Sequence, residues 1–183
     1  MNLLDEFEPP DRELSHRAVD DGLVLLHAAW QDYAQLSADV IQDWTTHEED
    51  LPVLLFGLAG LLVELFRVSG TSPPPATPTS PDPGNRTLQS RKWASELQEA
   101  WALGPHAVWR WCQRQVPPHV EPYERAGQLV AWGLAAIYTW EQREGRNGLE
   151  LLERLSREVY LPSGKRPESA FDVRHVLEGW DET

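Results

Sequence analysis

Residues 11–47 read DRELSHRAVDDGLVLLHAAWQDYAQLSADVIQDWTTH, with no proline and a single glycine, Gly22. At about 100° per residue, Leu14, Ala18, Val19, Leu23, Leu25, Leu26, Ala29, Trp30, Tyr33, Leu36, Val40, Ile41 and Trp44 gather on one half of a helical wheel. Arg17, Asp20, Asp21, Gln31, Gln35, Asp39 and Gln42 gather on the other. The pattern predicts one half-buried helix of about 35 residues, roughly 50 Å long. A narrower line runs inside it. His16, Val19, Leu23, Leu26, Trp30, Tyr33, Ser37, Val40, Trp44 and His47 alternate steps of three and four, the spacing of a heptad seam. Such a line is either the buried face of a long core helix or a contact with a second chain.

Glu48-Glu49-Asp50 follows as a turn, with Asp50 placed to cap and Pro52 in the first turn of the next helix. That helix, from Leu51 to Val68, is apolar nearly all round, as expected of a central bundle helix, and Gly57 and Gly60 offer places for close approach. Its apolar run ends at Phe66, falls short of the about 20 residues of a membrane span, and carries Glu64. Residues 69–85, SGTSPPPATPTSPDPGN, hold six prolines and no apolar period, so they read as a linker dispensable for folding. Helices are expected over 87–103, 105–115, 122–144, 148–160 and 169–179, punctuated by Gly104-Pro105, Pro117-Pro118 and Gly145-Arg146-Asn147-Gly148. No alternating β-branched run argues for a strand. The reading is an all-α, irregular bundle of about six helices. It comprises an acidic N-terminal helical hairpin (1–68), a proline-rich loop (69–85) and a C-terminal helical group (86–183) packed on the hairpin as one domain.

The 183-residue chain has a net charge of −13, and the excess is lopsided. Residues 1–68 hold 14 acids against three bases, whereas residues 86–183 hold 14 acids against 13 bases. Such a field attracts basic partners and repels nucleic acid and anionic membrane surfaces. One cysteine, Cys112, excludes an intramolecular disulfide and a thiolate zinc cluster. With an acidic N-terminus lacking a signal-like apolar region, this suits a soluble cytoplasmic protein.

Chemistry-bearing patterns are sparse. There is no Walker A loop, no Gly-x-Gly-x-x-Gly and no nucleophile elbow. His16, Asp20 and His27 share one edge of the first helix and form a candidate metal trio. Glu-x-x-Glu pairs at Glu96/Glu99, Glu121/Glu124, Glu141/Glu144 and Glu150/Glu153 are the kind that hold magnesium in all-α nucleotide pyrophosphatases. The Glu-x-x-Asp that accompanies them there does not follow here. Arg110 and Arg114 beside Trp109 and Trp111 suggest base stacking, but intramolecular pairing with the acidic hairpin accounts for these arginines too. No cofactor is implied and no reaction is specified. The leading expectation is a non-enzymatic interaction protein of the inhibitor, immunity or accessory-regulator type. Its acidic hairpin binds a protein partner or a second copy through Trp30, Tyr33, Trp44, Asp20, Asp21, Asp39 and Asp43. A metal-dependent all-α hydrolase and a DNA-mimicking inhibitor are the alternatives.

Overall fold

The computed structural model describes residues 8–73, 85–115, 122–164 and 169–180. It is all-α, with no strand among those residues. The helices are α1 (Arg12–Trp30), α2 (Ala34–Thr45), α3 (Leu51–Ser69), α4 (Asn85–Leu103), α5 (Pro105–Arg114), α6 (Pro122–Glu144), α7 (Gly148–Tyr160) and α8 (Val173–Leu177), with a 3₁₀ turn at Glu48–Asp50 before α3. The proline-rich stretch 74–84 and the Pro117-Pro118 stop lie outside the described residues.

The composition of α3 decides its place. A helix that is apolar on every side can satisfy no side with water. Accordingly Leu54, Leu55, Phe56, Leu58, Ala59, Leu61 and Leu65 are wholly buried, and α1, α5, α6, α7 and α8 all pack around them. α3 is the one helix among the described residues long and apolar enough to cross a membrane, and 89% of its most apolar window is buried within the fold. Both glycines admit neighbouring backbones. A methyl on Gly57 would lie 2.8 Å from the Cβ of Ala18 in α1 and 2.9 Å from its carbonyl carbon. One on Gly60 would lie 3.2 Å from the Cα of Val173 in α8. At its start the expected cap is absent, since Asp50 makes no side-chain hydrogen bond to the helix. At its end Arg143 of α6 donates to the carbonyl oxygens of Ser69 and Gly70, satisfying acceptors that a helix C-terminus leaves open.

The first helix is not one rod. Asp32 adopts φ +61, the Tyr33 N–H reaches back to the Ala28 carbonyl at 2.8 Å and the Asp32 N–H to that of Ala29 at 3.3 Å. These are the paired bonds of a Schellman motif, with aspartate where glycine is commoner. The chain then turns back on itself. The Trp44 indole N–H donates to Asp21 Oδ2 at 2.7 Å across a sequence separation of 23 residues, and the Arg17 guanidinium lies 4.9 Å from the centre of the Trp44 ring. In a straight helix residues 21 and 44 would stand about 35 Å apart. The heptad line therefore folds on itself at Gln31–Tyr33 and cannot run as one continuous seam.

α7 runs antiparallel beside α1. Tyr160 donates to Asp20, the charge of Glu153 acts on His27, and the Trp30 ring crosses Gly148, where a methyl would lie 2.5 Å from it. The C-terminal helices thus cover α1 from within the chain. On the far side of α3, Trp93 of α4 packs on Trp111 of α5 at 5.0 Å and on Trp132 of α6 at 5.4 Å between ring centres. Among the described residues the indole N–H groups of Trp93, Trp101 and Trp111 are buried there with no hydrogen-bond partner, an arrangement that costs about 1–3 kcal/mol in desolvation for each.

Candidate functional site

α2 is the helix the core uses least. Of its residues only Ile41 and Trp44 are buried. Leu36, Asp39 and Asp43, at i, i+3 and i+7, share a sector of about 60° on its outer side, whereas Val40 is partly buried against the core. Leu36 is 45% exposed, and Tyr33, just before the helix, is 59% exposed. Asp39 accepts from Gln35 Nε2 at 2.8 Å. Among the described residues no lysine or arginine pairs with Asp32, Asp39 or Asp43. The chain in fact carries neither residue between Arg17 and Arg67. α2 therefore presents apolar side chains inside an acidic field, and the Arg17 guanidinium that lies over its inner residue Trp44 pairs with Asp21 of α1.

The other residues singled out from the sequence are placed differently. Trp44 is 1% exposed and staples α2 to α1, so it belongs to the core. Trp30 is half-buried at the α1–α7 crossing. Asp21 holds Trp44 and lies 3.4 Å from Arg17, while Asp20 holds the Tyr160 hydroxyl. These two carboxylates support the fold, and the outward set is Tyr33, Asp39 and Asp43.

His16, Asp20 and His27 do not converge. Neighbours on a wheel can be far apart along the axis, and His16 and His27 are separated by about 16 Å of helix. His16 and Asp20 border a shallow groove with Arg12 and Arg17, whereas His27 faces α7. Among the described residues no group of three or more histidine, cysteine or carboxylate side chains is placed to hold a metal. Trp109 and Trp111 turn inward, Trp109 against Phe56 at 5.5 Å, so neither indole face beside Arg110 and Arg114 is open to a base. Arg143, Arg146 and Arg174 pair with Glu144, Glu150 and Asp172 of their own half. Cys112 is fully buried, and burial pushes its thiol well above the ordinary range, the opposite of an activated nucleophile.

No family model, curated protein or solved structure matches this chain.

One group of residues escaped the sequence reading. An open cavity of about 520 Å³ lies between the start of α5 and α8, bordered by His106, Arg174, His175, Glu178 and Trp180. His106 stands 74 positions from Trp180, whose indole N–H it receives at 3.3 Å, and no spacing rule links positions so distant. The run from Arg174 to Trp180, with three polar or charged groups and an indole in seven residues, was the available signal.

Proposed function

We propose that this protein is a non-enzymatic interaction module that docks a basic segment of a protein partner on the outer face of α2. The observation that supports this most is the pairing, on α2 and the residue just before it, of exposed Tyr33 and Leu36 with Asp39 and Asp43. An apolar anchor on the partner would cover Leu36 and Tyr33, and its lysines or arginines would meet Asp32, Asp39 and Asp43. Complementary charge of this kind mainly accelerates encounter and selects the partner, while the desolvated apolar contact holds the complex. Only the latter resists salt. The working compartment in this reading is the cytoplasm.

The test compares the wild-type chain with Leu36→Asp and with Asp39→Asn/Asp43→Asn as baits in the native host. We expect a basic protein captured by the wild type and lost with Leu36→Asp. Its association with the double variant should be slowed several-fold at low salt, with little difference at about 1 M salt. Unchanged melting temperatures would show that the variants are folded. Capture that is indifferent to Leu36→Asp would overturn the proposal, as would a partner without basic character. Concentration-dependent dimerisation abolished by Leu36→Asp would assign the face to a second copy instead.

A further inference from the structure

α4 and α5 are joined by Gly104 alone, at φ +112, a conformation open to glycine and costly for other residues. The two helices fold back on one another there, and Trp93 of α4 meets Trp111 of α5 at 5.0 Å between ring centres. An open groove of about 450 Å³ lies between them. Glu96, Glu99 and Leu103 line it from α4, and Arg110, Trp111 and Arg114 from α5. Each set falls on one face of its helix by its spacing. The groove is therefore acidic along one wall and basic along the other, with the buried Trp111 ring between.

Leu103, the last residue of α4, stands at the bend and is 78% exposed, more than any other large apolar side chain among the described residues. A lone exposed leucine is ordinary, but this one borders two rows of opposite charge that do not close on one another. Glu96 has only Lys92, at 3.8 Å. Among the described residues neither Glu99 nor Arg114 has an ion-pair partner.

We propose that this groove is the interface of a symmetric dimer, in which α4 of each copy lies over α5 of the other. A two-fold axis along the groove exchanges its walls. Glu96 and Glu99 of one copy then meet Arg114 of the other, twice over, and both Leu103 side chains leave water at the same end. An axis across the groove would set acid on acid, so charge alone fixes the orientation. The charge layout of the whole chain favours the same face. Two copies of net charge −13 repel, but most of that excess lies in residues 1–68, whereas residues 86–183 are close to neutral. Copies approaching through α4 and α5 meet the least repulsion. A foreign segment would have to bring the same two opposed rows of charge; a second copy carries them by construction.

Sedimentation of the full chain tests this. We expect a reversible monomer–dimer equilibrium below about 200 µM. Leu103→Gln should weaken it at least about tenfold, the scale of one lost apolar anchor. Glu99→Arg and Arg114→Glu should each weaken it by a similar factor or more, because each sets like charges against one another at both ends of the two-fold. An equimolar mixture of these two variants should dimerise again, since one pair of walls is then native and the other reversed in sign but still complementary. All three positions are exposed, so far-UV circular dichroism should not change. The inference is overturned if the wild type remains a monomer up to about 200 µM, if a dimer forms that is indifferent to Leu103→Gln, or if the mixture fails to associate. Leu36→Asp should leave the dimer intact. A dimer lost with that variant instead would place self-association on α2 and equally overturn the inference. Partner capture by α2 is a separate outcome and should survive Glu99→Arg.

Discussion

His27 is half-buried where α1 passes α7, and its position gives the fold a pH response. Burial disfavours the imidazolium, and the nearby Glu153 offsets this only in part, so its pKa falls below the ordinary 6.5. An unfolded chain takes up a proton at 6.5 that the folded chain still refuses. The His27 contribution is therefore complete above pH 6.5 and is lost as pH falls from there through the lowered value. Denaturant unfolding between pH 7 and about pH 5 should show stability declining with acid, and His27→Gln should flatten that decline. Asp172 acts in a separate window. Burial raises its pKa, but the bonds and charge of Arg174 outweigh that and leave it below 3.8, so its contribution disappears only in stronger acid. The wheel placed His16, Asp20 and His27 on one edge, but angle alone could not tell a ligand set from three residues spread along a helix. Partners decide such roles, and Glu153 and Tyr160 lie more than a hundred positions away.

Element boundaries were legible wherever the chain carries a stop or start residue. Gly104-Pro105 separates α4 from α5, and Asn147 caps α7 by accepting from the Leu149 N–H at 3.0 Å. The centrality of α3 was legible in its all-round apolarity, and its close contacts in Gly57 and Gly60. The break between α1 and α2 was not, because Gln31-Asp32-Tyr33 contains neither glycine nor proline and the apolar period continues across it. Only the long-range pull of Asp21 on Trp44 shows that the second segment must turn back. The last helix is shorter than its periodicity implied, running from Val173 to Leu177 rather than over 169–179. The strained junction makes a simple prediction. Asp32 sits in the left-handed region, where a side chain costs up to about 1–2 kcal/mol and glycine very little. Asp32→Gly should therefore raise the urea midpoint by the equivalent of up to about 1 kcal/mol with no change in helicity. A fall in stability would mean that the aspartate side chain supports the turn.

Across the whole molecule, α3 and α7 are tied by a charge in an apolar place. Glu64, 1% exposed, is met by Arg67 at 2.5 Å, and Arg67 also reaches Glu158 of α7 at 3.3 Å. Arg67→Met should cost about 1–3 kcal/mol by removing one of the counter-charges of a buried carboxylate that Arg174 also influences, and adding Glu64→Leu should restore much of that loss. Chemical denaturation of the single and double variants measures both. The central position of α3 has a further consequence in time. During synthesis, α3 leaves the ribosome about a hundred residues before the last of the helices that cover it. At typical elongation rates of about 5–20 residues per second this leaves it only partly covered for roughly 5–20 s. Throughout that interval the nascent chain displays a segment apolar enough to be mistaken for a membrane span, with only α1 and α2 already made to shield it before α5, α6, α7 and α8 arrive.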